Sequence, residues 1–221
     1  LYYIRTDDKI TSELVPNAVI YTTGIGNNGV IVFEYEDKEN KLWGRCENGD
    51  VIQVPMPEVK EGYFEKRLIY PPRIRLSADG HNVAFFVEHI PEISTAGPAD
   101  HFVELVVFNC STGDMQRIPI NDFAKEYFSD IDANAGRPVG TYVMIDKTGK
   151  KVWFVLKGVL YNGTQEYKRK YSAVEWSEDS GLRALNFPVD VAFEIIGMDY
   201  ITKDVVVLEA DPQNTVSTLE Q

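Results

Sequence analysis

The chain has 221 residues, 44% of them hydrophobic and 12% aromatic, enough for one large domain or two small ones and too apolar for a disordered tail. Its 22 Lys and Arg stand against 34 Asp and Glu, and the net charge of -12 repels phosphate backbones and anionic lipid surfaces. No apolar run approaches the roughly 18 residues that a membrane-spanning helix needs, so neither nucleic-acid binding nor membrane insertion is expected.

The chain opens on Leu1 with LYYIRTDDKITSELVP (1–16), which reads as strand, polar turn, strand. An opening without Met reads as a processed product or a piece of a longer chain, so the lack of a visible leader carries no weight. Next comes AVIYTTGIGNNGVIVFEYE (18–36). Its GIGNNG matches the letters of the dinucleotide fingerprint G-x-G-x-x-G. That motif needs a helix starting on its last glycine, whose free N–H groups take the pyrophosphate. After that glycine the chain instead reads VIVFEYE, β-branched and aromatic, which predicts a second strand. The segment is therefore expected to be a hairpin, with Gly26, Asn27, Asn28 and Gly29 in the turn.

The same shape, strand–polar turn–strand, recurs in RIRLSADGHNVAFFVEH (73–89), YVMIDKTGKKVWFVLKG (142–158) and EIIGMDYITKDVVVLEA (194–210). Each first strand ends in Thr, Ser or Asp, and Gly29, Gly80 and Gly149 share a column. A second shape alternates with the first: KLWGRCENGDVIQVPM (41–56), ELVVFNCSTGDMQRIPI (104–120) and the looser YSAVEWSEDSGLRALNF (171–187). Their turn glycines are Gly49, Gly113 and Gly181. Together one of each shape makes a four-stranded antiparallel meander, the blade of a β-propeller. The reading is thus all-β: one propeller domain over 1–221, or a fragment of a larger propeller. About four blades are expected, three starting near Asn17, Arg73 and Tyr142. The fourth joins the first and last strands if the ring closes within this chain. The end, NTVSTLEQ (214–221), is either a third strand or a loose tail.

RLSADGHNVAFFVEH resembles the S-x-D-G-x-x-h-A-F repeat of TolB-type, WD-repeat-like β-propellers, which also occurs in the propellers of prolyl-oligopeptidase-like peptidases. MIDKTGKKVWFVLKG is a weaker copy, and FNCSTGDMQRIPI is similar to the outer hairpin of such repeats. The resemblance is good over about 73–119, fair over 140–187 and weak elsewhere. It implies a propeller fold and an extracytoplasmic setting, periplasmic or secreted. It speaks to fold far more than to activity.

In an up-and-down meander the short hairpin turns point to one end of the propeller. The long segments 57–72, 88–101, 121–140 and 157–170 fall at the other end. Long connections gathered on one face mark a functional surface. They hold Tyr63, Phe64, Arg67, Tyr70, Tyr127, Arg137 and Tyr161, of the residue types that dominate interface energetics, and His89 and His101 flank one of them. These nine are the candidate binding residues. NDFAKEYF (121–128) predicts one or two helical turns capped by Asn121 or Asp122.

His89 and His101, beside Glu88 and Asp100, face each other across a loop base if their strands pair, which raises a two-His, two-carboxylate metal site. The spacing matches no strong motif, so surface histidines and no metal are expected. SDIDAN (129–134) lacks the full calcium-loop pattern and is read as a solvated acidic loop. Cys46 and Cys110 sit in similar frames of neighbouring sheets, about 10 Å apart and beyond disulfide reach, so two reduced, partly buried thiols are expected. Two glycosylation sequons, at Asn109 and Asn162, are few enough to arise by chance. There is no G-x-S-x-G elbow, no H-E-x-x-H and no C-x-x-C. The leading expectation is a non-enzymatic module that binds a protein or peptide through the long-loop face, without a cofactor, within a longer chain or complex. The alternative is a carbohydrate-active or peptidase-associated propeller using acidic loop residues such as Glu92, Asp100, Asp130 and Asp132.

Overall fold

The computed structural model describes residues 2–4, 11–13, 20–25, 31–35, 42–45, 51–68, 74–77, 79–92, 101–128, 143–162, 165–185, 193–198, 205–210 and 216–218. They form five antiparallel sheets in chain order. The first is a ribbon of β1 (Tyr2–Ile4) and β2 (Thr11–Glu13). The second runs β3 (Ile20–Ile25), β4 (Ile31–Tyr35), β5 (Leu42–Arg45), β6 (Val51–Val54), each strand beside the next. The third comprises β7 (Glu65–Leu68), β8 (Arg75–Leu76), β9 (Asn82–Ile90), β10 (Phe102–Asn109) and β11 (Met115–Pro119). A single short helix, α1 (Asn121–Tyr127), comes next. The fourth sheet runs β12 (Val143–Ile145), β13 (Lys151–Asn162), β14 (Gln165–Ser177), β15 (Gly181–Ala184). The fifth is β16 (Phe193–Met198), β17 (Val205–Ala210), β18 (Val216–Thr218), so the C-terminal stretch does supply a third strand.

From the second sheet on, the inner strands touch in turn: β3 meets β8, β8 meets β12, and β12 meets β16. Sheets stacked through their inner strands are propeller blades, and the molecule is a β-propeller arc. The β1–β2 ribbon and the β16–β18 sheet stand as separate sheets, with no pairing between them among the described residues. GIGNNG falls where the hairpin reading puts it. Gly24 and Ile25 end β3 and β4 pairs back antiparallel, so the described residue after the motif, Ile31, is in a strand and not a helix; Gly26, Asn27, Asn28 and Gly29 lie outside the described residues.

Middle strands explain the apolar runs. β9 is buried from Val83 to His89 because both of its faces meet a neighbouring blade. On one face Val83, Phe85 and Val87 pack with Val106, Phe108, Ile74 and Val54 of the second sheet. On the other, Ala84 and Phe86 join Leu105 and Val107 against Val152, Phe154, Leu156, Val174 and Trp176. Phe86 and Phe154 meet edge to face at 5.2 Å across the blade boundary. Each such side chain contributes about 1.5–3 kcal/mol on burial, so the blade boundaries hold the arc together.

The Thr/Ser/Asp column has a local cause. Ser77 Oγ accepts from Asn82 N at 3.0 Å, and Asp146 Oδ1 accepts from Lys151 N at 3.1 Å. In both turns the side chain of the first residue after the strand thus caps the N–H five positions on. Gly80, Gly113, Gly149 and Gly181 take positive φ at the turns where the repeats place them. Gly149 also lies against the next blade: a Cβ there would stand 2.3 Å from the Asn82 side chain.

Three expectations about the long segments need correction. Residues 57–72 are not one loop, because β7 and β8 both pair with β9 as two halves of an interrupted inner strand. Residues 157–170 are a continuation of the β13–β14 hairpin, paired up to Asn162 and Gln165. Helix α1 is present, but its N-cap is Ile120, buried and without a side-chain cap. Asn121 instead bridges to β10, accepting from Val103 N at 2.7 Å and donating to His101 O at 2.9 Å.

Candidate functional site: the long-connection end of the third sheet

Strand register decides where the two histidines go. His89 stands opposite Phe102, so His101, one residue earlier, falls on the other face of the pleat. The imidazoles therefore do not face each other. Nor are they surface residues: His89 is fully buried and His101 is 9% exposed. Each has taken a buried glutamate from the neighbouring strand, one pair per face of the sheet.

On the face toward the second sheet, the backbone N–H of Lys60 donates to His89 Nδ1 at 3.1 Å. That leaves the proton on Nε2, which donates to Glu104 Oε1 at 2.7 Å, so the ring is the neutral Nε2–H tautomer. Glu104 also takes a two-pronged contact from Arg117, at 3.0 Å from Nε and 2.9 Å from Nη2. Burial pushes the Glu104 carboxyl up. The hydrogen bonds from His89 and Arg117, with the Arg117 charge, outweigh it and hold the group below the usual carboxylate value. Arg117 Nη2 reaches on to Glu58 O at 3.3 Å. The whole chain of bonds fastens residues 58–60 to the sheet. On the opposite face, His101 Nδ1 and Glu88 Oε1 are 2.6 Å apart. Among the described residues, no group of three or more His, Cys, Asp or Glu side chains is placed to hold a metal ion.

Above the first network lies an aromatic group. Tyr63 is half-buried, edge-on to His89 at 6.2 Å and tilted against Phe102 at 6.1 Å. Lys60 Nζ sits 4.1 Å over the Phe102 ring. Phe64 is 71% exposed, although its backbone N–H is fixed to Ile90 O at 2.9 Å. A large apolar ring held in water by an ordered backbone is the feature of this end that packing leaves unexplained. Tyr127, on α1, stacks on Phe123 at 5.8 Å and meets Phe128 edge-on at 5.4 Å. No ring contact joins this trio to Tyr63 or Phe64 among the described residues. Phe128 is buried against Gly158 of β13.

Of the other candidates, Arg67 lies in β7 opposite Glu88, and Tyr161 lies near the tip of the β13–β14 hairpin opposite Glu166. Tyr70 and Arg137 lie outside the described residues, as do Asp100, Asp130, Asp132 and Cys46. Cys110 is a partly buried thiol. The Asn109 sequon is turned inward: its amide nitrogen donates to Asn82 Oδ1 at 3.1 Å. Glu104, Arg117 and Phe102 escaped the sequence reading, which had Glu88 only as a possible metal ligand. Their signal was a charge inside an otherwise apolar run, as in VAFFVEH and HFVELVVF, where a strand buried on both faces obliges it to find a partner.

A scan against protein-family models finds no match, and neither does a search of curated proteins. Among solved structures the chain is similar to the acylaminoacyl peptidase of Pyrococcus horikoshii, with a TM-score of 0.53 and 10% identity over 99% of this chain and 34% of that one. It is also similar to the polysaccharide lyase Uly1, with a TM-score of 0.50 and 10% identity over 90% of this chain and 48% of that one. At such identities the likeness is one of fold. The chain spans about a third of the peptidase and about half of the lyase.

Proposed function

We propose that the chain is a propeller-type binding module that takes a protein or peptide segment at the end bearing residues 57–64, α1 and the tip of the β13–β14 hairpin. The observation that carries this reading is Phe64, exposed on a backbone pinned from below by the Lys60–His89–Glu104–Arg117 chain and by Ile90. Such a ring offers apolar area at little ordering cost, because its backbone is already fixed. Tyr63 precedes it, the exposed Val59 lies five residues before it, and Tyr127 presents a second aromatic group on α1. Charge favours this partner class over nucleic acid, since a protein of net charge -12 repels a phosphate backbone. We infer further that the TolB-like character of the repeats reflects shared blade construction and that this arc works within a longer chain or complex.

The test is a selection from a random peptide library on the native chain, then affinity measurement on the Phe64→Glu variant. Peptides that use this end should lose at least about tenfold in affinity, the effect of one interface anchor. Selected peptides that bind the variant as well as the native chain would remove Phe64 from the site.

The enzymatic alternative has one residue in view. Glu92 is exposed, while its proposed companions lie outside the described residues. Glu104, the buried carboxylate at this end, is held below the usual value and so is a fixed anion at neutral pH, unsuited to donating a proton.

A further inference from the structure

The opposite end of the molecule carries a pocket that the binding reading does not use. It lies between the third and fourth sheets, at the end of the short turns, with a volume of about 180 Å³. Val107 of β10 and Trp176 of β14 line it from the two blades, and Asp114, Gln116, Lys150 and Glu178 line it as solvent-exposed residues. Asn82 joins the two blades there, donating to Thr148 O at 2.9 Å.

Trp176 is 5% exposed, yet its indole N–H donates to no group among the described residues. The contrast is in the same sheet. Trp153, also buried, donates to Glu175 Oε2 at 2.9 Å. A buried donor without an acceptor is rare in a folded protein, and Trp176 lines this pocket, through which an acceptor can enter from outside. The carboxylates around it are loosely engaged. Glu178 is 3.4 Å from Gln116 Nε2 and 3.6 Å from Lys150 Nζ, and Asp114 uses Oδ2 for Thr112, with no partner for Oδ1 among the described residues.

We propose that this inter-blade pocket binds a neutral polyhydroxylated molecule, a single sugar ring or a short polyol. The pocket asks for two things at once: an acceptor for Trp176 and donors for Asp114 and Glu178. A hydroxyl supplies both. An anionic ligand meets two carboxylates against the single Lys150 charge. A simple ammonium brings no acceptor for the indole. The apolar lining of Val107 and Trp176 suits the C–H face of a sugar, and the volume, about six water molecules, admits one ring and not a chain of them.

The test is an NMR titration of the folded chain that tracks the indole ¹⁵N–¹H resonances of its three tryptophans, assigned by Trp→Phe variants. The probes are D-glucose, D-galactose, D-mannose, D-xylose and glycerol, with D-glucuronate and trimethylammonium as charged controls. At least one neutral probe should saturate in the millimolar range, moving the Trp176 resonance while that of Trp153 stays fixed. Trp176→Phe, which keeps an aromatic ring and removes the donor, should weaken binding about tenfold, the scale of one lost polar contact. If that variant fails to fold, the exposed Gln116→Ala and Glu178→Gln variants should weaken it severalfold with an unchanged Tm. The proposal is overturned if no neutral probe saturates, if a charged control binds more tightly, or if the folded variants bind as the native chain does. Phe64→Glu should leave this titration unchanged, which separates the two sites.

Discussion

Replacing Glu104 by Gln removes the charge that holds two neighbouring strands and the 58–60 segment together. Its side chain is 2% exposed and accepts from His89 at 2.7 Å and from Arg117 at 2.9 and 3.0 Å. Hydrogen bonds to a charged group contribute about 1.5–3 kcal/mol each. Arg117 is 37% exposed, so water screens its share toward the lower end, and Gln keeps one acceptor oxygen for His89. The expected loss is about 3 kcal/mol at neutral pH, or about 1 M in the urea midpoint for an m-value near 3 kcal/mol/M. The pH dependence gives the argument its sharper edge. The folded pKa of Glu104 lies below 4.5, so the unfolded chain takes up this proton first as pH falls. Its stabilisation is therefore fully present above the unfolded value and is lost as pH drops through the folded one. Urea unfolding monitored by circular dichroism should show a constant gap between wild type and Glu104→Gln from pH 7 to about 5, closing below 4.5. A variant as stable as wild type at pH 7, or a gap that persists unchanged to pH 3, would refute the reasoning.

Gly149→Ala should cost about 2–3 kcal/mol, from a φ of 76° that L-residues avoid and from displacement of the Asn82 side chain that bridges two blades. In a double-mutant cycle with Asn82→Ala the two losses should fall short of additive, since the clash is with that side chain; strict additivity in urea midpoints would contradict the contact. Gly158→Ala places a Cβ 3.0 Å from the Phe128 ring and should cost about 1–3 kcal/mol, read as a lower Tm together with a changed near-ultraviolet signal from the α1 aromatics. Phe64→Ala should leave thermal stability within about 0.5 kcal/mol, because a ring 71% in water has little packing to lose. A large drop in Tm there would mean that Phe64 is part of the fold and not of a binding surface.

The blades were legible in the sequence because their signals are local. A Ser or Asp that caps the N–H five residues on, and a glycine at positive φ between them, act within one turn, as at Ser77–Asn82 and Asp146–Lys151. The long-connection end was harder to read because its determinants act between strands. In isolation PEVKEGYFEKRLIYPP reads as loop, and only pairing with β9 makes strand of residues 65–68. His89 and His101 look like loop-flanking surface residues until the register puts each one on a different buried face. Asn121 fits a helix cap by residue type, yet β10 offers it both a donor and an acceptor, and those two bonds win. The pocket beside Trp176 left no trace in any single segment, since its walls come from two blades.

The polar residues at the long-connection end share one structural consequence. Apolar contacts hold blade to blade, but they do not fix the segments that leave the blades. Those segments are fastened by polar bonds that each engage a backbone group: Lys60 N on His89, Glu58 O on Arg117, Val103 N and His101 O on Asn121. A bond of this kind is directional, so it sets position as well as energy. Loss of the Lys60 bond leaves the ring nitrogen of the fully buried His89 without a partner, which makes the alternative positions expensive. Slack in residues 57–64 would make Phe64 collapse onto the nearest apolar surface. With Lys60 tied below and the Phe64 N–H tied to Ile90, the ring stays outside. On the proposed binding reading, the buried His–Glu pair positions the surface without touching what binds. Weakening it, as Glu104→Gln does, should lower peptide affinity alongside stability, although no atom of Glu104 faces the partner.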